Sequence, residues 1–342
     1  MKTLLVDSDL CPTIPPLPPD LDKPFWSVMI PTFNSGSYLE TSLRSVLCQD
    51  PGQTHMQIEV VDDCSNVDNP LETVRKVAGN RVDFFRQPAN VGAPRNFNTC
   101  LQRARGQWVH ILHSDDAVRA DYYRSFSRFI EEHPGLDMLF CRAVIIDERG
   151  RWLSIAGSPP YFSGTYPNQV RAITFDLTVE NFIIAPTVAV RRSVYERLGG
   201  FNQSLQHTAD WEMWLRIGAQ FQVGYLDEPL ILRREHEAAD TARLAATGAN
   251  LREIVTTLRW AMDQLPGGPH REKLRQRALR IHSEYALSLR YRFMRRGLYR
   301  PAWRQACWAF RLRPSCRNAL RLVVSWLQVL VPRRQAAHSK AG

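Results

Sequence analysis

Four short runs dense in Val, Ile and aromatic residues recur along the first third of the chain: SVMI (27–30), IEVVD (58–62), VDFF (82–85) and WVHIL (108–112), with DMLFC (137–141) as a fifth. Several are apolar at consecutive positions, as strands covered on both faces require. Between them lie stretches with helical spacing. In SYLETSLRSVLCQ (37–49), Leu39, Leu43, Val46 and Leu47 share one stripe; PRNFNTCLQRAR (94–105) opens on a proline suited to a first helical turn; DYYRSFSRFIEEH (121–133) is a third. Alternation at this pitch predicts an α/β fold with a parallel sheet and right-handed crossovers. Ligands of such sheets bind at the carboxyl ends of the strands. The chemically distinctive residues stand there: PTFN (31–34), DDCS (62–65), NVG (90–92) and HSDD (113–116) each follow or close a run.

The character of the chain changes after about residue 250. LREIVTTLRWAMDQL (251–265) is helical by period, PGGP (266–269) interrupts it, and three more helical stretches follow to about residue 330. The prolines at 12, 15, 16, 18 and 19 exclude a helix at the N-terminus. The expected organisation is therefore an extended proline-rich arm (1–24), an α/β domain (25–250) and a basic all-α region (251–342). Residues 1–10, with one Lys and two Asp, do not read as a signal peptide, and no stretch has the roughly 18–20 apolar residues of a bilayer span. Seven scattered cysteines without C-x-x-C spacing argue against a zinc site or a disulfide framework. A cytoplasmic location is expected. Of the net charge of +10, residues 251–342 carry 20 Lys or Arg against 4 Asp or Glu, so the first 250 residues are net acidic.

Three sets of residues are candidates for chemistry. Asp115 and Asp116 follow a strand directly. Two adjacent carboxylates repel, and burial without a cation raises the pKa of at least one; Mg²⁺ or Mn²⁺ resolves that, whereas the plain alternative is a turn or a cap for the helix near Asp121. Asp62 and Asp63 close the second strand, where a carboxylate accepts hydrogen bonds from a base or ribose, or merely serves a turn. Asp210 stands at the start of the helical spacing in HTADWEMWLRIG (207–218), as a cap or as a general base on a rigid platform. Glu212 beside it either faces solvent or pairs with Arg216, and His236 alone reads as a surface histidine.

The order of these elements resembles family 2 glycosyltransferases of the GT-A fold. The resemblance is carried by PTFN (31–34), VVDDCS (60–65), NVGAPRNFN (90–98), HILHSDDA (110–117), RRSVYERLGGFN (191–202) and TADWEMWLR (208–216), over roughly residues 25–240. It implies a Rossmann-like, mostly parallel sheet flanked by helices, followed here by a C-terminal all-α appendage. It further implies that Pro31, Thr32 and Asn34 line a nucleotide pocket, that Asp63 holds the base, and that Asn90, Gly92 and Asn96 shape the nucleotide-sugar cleft. Asp115 would bind Mn²⁺ or Mg²⁺ bridging the diphosphate, with Asp116 beside it and His236 contributing. Asp210 would be the catalytic base of an inverting displacement, and Trp211 an acceptor wall. The family's metal motif most often reads D-x-D-D; here its first position is His113.

The implied activity is metal-dependent transfer of a sugar from a nucleotide-diphosphate sugar to a saccharide or lipid-linked saccharide acceptor, in surface polysaccharide or glycolipid synthesis. The alternative is a catalytically inactive GT-A-like binding or scaffold protein. A nucleotidyltransferase is disfavoured because PTFNSGS (31–37) has one glycine and no basic residue. The arginines and tryptophans around LVVSWLQVLV (322–331) are compatible with a peripheral, anionic membrane surface or with a helical cap on the catalytic domain. No nucleic-acid partner is expected, since no binding motif accompanies the charge.

Overall fold

The computed structural model describes residues 10–159, 169–171, 174–236 and 240–330. The chain forms two compact units, Met1–His236 and Glu237–Gly342. The change of character expected at about residue 250 thus falls inside the second unit, because a helix at 240–247, too short to stand out by period, precedes it.

The first unit opens with β1 (Trp26–Thr32), α1 (Gly36–Leu47), β2 (Met56–Asp62), α2 (Pro70–Ala78), β3 (Asp83–Arg86), α3 (Ala93–Arg103) and β4 (Trp108–Ile111). It continues through β5 (Ala117–Val118), α4 (Tyr122–Glu132), β6 (Met138–Ile146), β7 (Trp152–Ala156), β8 (Gln169–Arg171) and α5 (Thr174–Leu177). It closes with β9 (Val188–Arg191), α6 (Arg192–Leu198), α7 (Ala209–Gln220) and β10 (Val223–Arg234). Every residue of β1 and β2 is buried, and Leu39, Leu43 and Val46 of α1 pack on them with no exposed surface. This is the core the apolar runs called for.

The strands run in the order β3-β2-β1-β4-β9-β6-β10-β5. β2 and β4 flank β1 in parallel, and β3 is parallel to β2. β9 is antiparallel to both β4 and β6, so β6, with β10 parallel to it, runs in the same direction as the first four. β5 and β8 are antiparallel to β10 and β7 to β6, so the long strands are mostly parallel, with β9 reversed among them and short reversed strands beside β6 and β10. β3 lies at an edge and is only half-buried, unlike the doubly covered strand its VDFF run suggested.

The proline-rich segment from residue 10 to 24 contains no helix, yet it is not free. Ile14 is fully buried, and the carbonyls of Leu10, Pro12 and Pro15 accept hydrogen bonds from Gln203, Gly200 and Arg192. Residues 1–9 of the arm lie outside the described residues. Among its described residues the second unit contains helices and no strand: α8 (Asp240–Thr247), α9 (Ala249–Asp263), α10 (Pro269–Arg295), α11 (Tyr299–Leu312) and α12 (Cys316–Leu330). No helix among the described residues is long and apolar enough to cross a membrane.

Candidate active site

The loops after β1, β2 and β3 are tied into one rim. The Thr32 carbonyl accepts the Asp63 N–H at 2.9 Å, while the buried Thr32 hydroxyl has no hydrogen-bond partner among the described residues. Asn34 takes a left-handed backbone (φ 52°), which asparagine tolerates better than most side chains. Its Oδ1 accepts the N–H groups of Asn66 (2.9 Å) and Val67 (3.1 Å), binding the first loop to the second. Asp62 is fully buried, accepts both the N–H and the hydroxyl of Ser65, and pairs with Arg86 at 2.8 Å.

Asp63 joins the second loop to the third. Its Oδ1 accepts the Val91 N–H (2.8 Å), its Oδ2 the Gly92 N–H (2.9 Å), and its carbonyl accepts from Asn90 Nδ2 (3.2 Å). Gly92 holds φ at 85°, which a side chain would resist. Asn96 is buried, donating to the Val61 carbonyl at 2.9 Å. Pro31 is buried at the end of β1. In the structure Asp63 and Asn96 are thus fasteners of the rim, while the Thr32 hydroxyl and Asp68 Oδ1 are buried polar atoms there with no hydrogen-bond partner among the described residues.

The loop after β4 holds the acidic cluster. One donor atom each of His113, Asp115 and Asp116 lies within 4.8 Å of the others. β5 separates these carboxylates from α4, whose N-cap is Asp121, so they do not cap that helix. Asp116 accepts the backbone N–H of Arg234 at 2.7 Å; burial, together with the Asp115 charge, pushes its carboxyl well above the usual range. Burial also opposes ionisation of Asp115, but the 2.8 Å hydrogen bond from His236 Nε2 and the nearby His113 bring its carboxyl below the ordinary value. His236 is therefore a member of the cluster, not a lone surface histidine. So is His113, which sequence reading treated only as a departure from a motif; its place at the motif's first position was the available signal.

Asp210 occupies the first turn of α7, two residues past the N-cap Thr208. Its Oδ1 accepts the Trp211 N–H (2.7 Å) and its Oδ2 accepts from Asn181 Nδ2 (3.3 Å). Burial raises its carboxyl to about 6. A narrow cleft brings Asp210 together with His113, and Phe97, Tyr195, Phe201 and Trp214 are among its other walls. His113 stacks on Phe97, with centroids 5.4 Å apart, and burial lowers its pKa.

Two expectations on α7 need correction or completion. Trp211 does not form a wall of this cleft: it is 2% exposed and its indole donates to the Leu177 carbonyl at 2.8 Å. One turn on, Trp214 lines the cleft, with an indole N–H that has no partner among the described residues. Helical spacing alone could not say which of the two faced inward. Glu212 is buried and paired with Arg216 at 2.7 Å. Arg233 was missed altogether; its charge acts on His113, Asp116 and Asp210 alike.

Comparison with known proteins follows the same outline. The family model of glycosyl transferase family 2 matches residues 27–199. An uncharacterised protein of Mycobacterium tuberculosis is 30% identical over 246 residues, covering 70% of this chain and 76% of that protein. The poly(ribitol-phosphate) beta-N-acetylglucosaminyltransferase TarS of Staphylococcus aureus is 32% identical over 127 residues, 36% of this chain but only 22% of TarS. Among solved structures, S. aureus TarS 1–349 superimposes with a TM-score of 0.57 at 19% identity, covering 89% of each chain. The mannosyltransferase PcManGT of Pyrobaculum calidifontis, in complex with GDP-Man and Mn²⁺, gives 0.54 at 18% identity, over 94% of this chain and 84% of that one. At such identities these two likenesses establish the fold alone.

Proposed function

As the chain belongs to glycosyl transferase family 2, we propose that it moves a sugar from a nucleoside-diphosphate sugar to an acceptor hydroxyl in one in-line displacement that inverts the anomeric carbon. The observation that carries this reading is the shared cleft: Asp210 and His113 line it together, and His113 belongs to the acidic cluster. On this reading the base for the acceptor stands in one cleft with His113, the neighbour of the carboxylates that seat the departing diphosphate; Asp115 and Asp116 are not themselves among the cleft's lining residues.

The cluster suits a divalent cation. Two neighbouring carboxylates, one pushed well above its usual pKa by burial and by the other's charge, hold negative charge that the described residues only partly offset. Carboxylate oxygens with an imidazole at hand fit Mn²⁺ or Mg²⁺. Asp115 and Asp116 would hold the ion, with His113 and His236 beside them, and it would supply Lewis-acid stabilisation of the charge growing on the leaving diphosphate. Arg233 adds positive charge in the same region.

Asp210 takes the acceptor's proton. The Trp211 N–H and Asn181 amide fix its carboxylate, and a pKa near 6 leaves it ionised at neutral pH while keeping it a stronger base than an exposed aspartate. The unpartnered Thr32 hydroxyl is available to the nucleotide, and the Asp63 carboxylate is an acceptor of the kind a base N–H calls for. Pro31, Asn34, Asn90, Gly92 and Asn96 act by holding that pocket's backbone. Trp214 takes the part of the acceptor wall that the sequence suggested for Trp211. TarS is named for a poly(ribitol-phosphate) acceptor; by analogy we assign this chain a surface polymer, or a lipid-linked saccharide, as acceptor.

A panel of nucleotide sugars screened by thermal shift with and without Mn²⁺ tests the reading. Ligand at a hundred times its Kd stabilises the folded state by about 2.7 kcal/mol, so one donor class is expected to raise the unfolding temperature measurably, and only with metal. A panel without any metal-dependent shift would favour an inactive relative of the fold.

A further inference from the structure

The last helix wears its polarity inside out. The buried residues of α12 are Asn318 and Ser325. Asn318 Nδ2 donates to the Arg313 carbonyl at 2.9 Å, and the Ser325 hydroxyl accepts from Arg290 Nε at 2.7 Å. On the opposite side Leu320, Val323, Val324, Leu327 and Leu330 are 39–64% exposed, and their i, i+3, i+4, i+7, i+10 spacing places them on one stripe. Trp326, 48% exposed, stands at its edge. Helices on a globular surface ordinarily bury such a stripe; contiguous apolar surface left outward marks a docking face.

The sequence around it indicates what docks. After Glu284 the chain contains no Asp or Glu, but thirteen Lys or Arg. Arg317 and Arg321 border the stripe on α12 itself. A second copy laid against this face would bring cations against cations without one carboxylate from this segment to offset them. The complementary partner is apolar in its interior and negative at its surface. An anionic lipid leaflet has both properties, and an amphipathic helix lying in the interface buries its apolar side about 5–10 Å deep while basic residues meet the headgroups. The described 15 residues of α12 are about 22 Å long, less than the roughly 30 Å hydrocarbon core.

We propose that α12 seats the protein on anionic membrane surfaces, inserting the Leu320–Leu330 stripe and pairing Arg317 and Arg321 with lipid phosphates. This inference rests on the helical unit alone and stands apart from sugar transfer. The test is flotation of the full chain with vesicles of phosphatidylcholine alone, and with vesicles in which about a third of the lipid is phosphatidylglycerol. The protein should float with the anionic vesicles, far less with the neutral ones, and progressively less as salt rises. Substituting Val324→Asp together with Leu327→Asp should lower the bound fraction about ten-fold or more, because two buried aliphatic side chains are lost to the bilayer. Circular dichroism and the unfolding temperature should not change, since both side chains are exposed. Arg317→Gln and Arg321→Gln should each weaken binding about five-fold. No flotation with anionic vesicles, or flotation that the double aspartate variant leaves intact, would overturn the proposal. A dimer in sedimentation velocity that the same variant abolishes would assign the face to a second copy instead, and would overturn it too.

Discussion

Asp210 lies in the first turn of α7. A carboxylate opening a helix is most simply a cap, and this one does accept a backbone N–H in the first turn; what sets it apart is burial in a cleft with His113, which raises its pKa to about 6. As the base it must be ionised, so kcat/KM should rise with pH through about 6 and level off above, and a pH–rate profile without an acidic limb near that value would remove it from the role. The same shift has a stability consequence of definite sign. Between the ordinary 3.8 and about 6 the folded state holds this proton more tightly than the unfolded chain, so Asp210's contribution to stability is lost as pH rises through that window. Asp210→Asn should therefore be more stable than the parent at pH 8, by about 1 kcal/mol after allowing for partial exposure, as read from urea unfolding. Asp115→Ala should abolish the stimulation of donor binding by Mn²⁺ in calorimetry; unchanged metal dependence would refute its place in the cation site. Asp115, Asp116 and Asp210 were legible as candidates because adjacent or helix-opening acids beside apolar runs are conspicuous. The second nitrogen-bearing member, His113, was not, since a histidine in an acid's position reads as a loss until its distances to the carboxylates are known.

At the scale of elements, the strands that carry the site were legible because continuous apolar runs demand cover on both faces: β1, β2 and β4 lie within a residue or two of SVMI, IEVVD and WVHIL. β9 and β10 were not. β9 has four residues, too few for a period, and β10 is broken by register shifts around Pro229 that disrupt its alternation. β10 matters most of the missed elements, since it brings Arg233 and Arg234 to the acidic cluster and leads directly into His236. α7 is held by an ion pair inside the protein: Arg216 is fully buried, bonded to Glu212 and to the carbonyls of Leu198 and Gly200. Glu212→Ala should destabilise the fold by about 3–5 kcal/mol, because it leaves a buried guanidinium without its carboxylate. A loss under 1 kcal/mol by denaturant unfolding would mean that water or the carbonyls suffice.

Across the whole molecule, the α/β plan with a helical C-terminal unit could be expected from the change in period and charge along the chain, whereas the joining of remote loops could not. Asp210 and His113 are separated by nearly a hundred residues and share a cleft, to which β9, antiparallel to β4 and beginning beside that strand's carboxyl end, contributes Val188. That juxtaposition is the central claim, and turnover by Asp210→Asn, with donor affinity measured on the same sample in Mn²⁺, tests it most directly. The substituted protein should bind the nucleotide sugar about as tightly as the parent and transfer it about 10²- to 10⁴-fold more slowly. Transfer at nearly the parental rate, with the donor bound, would contradict it.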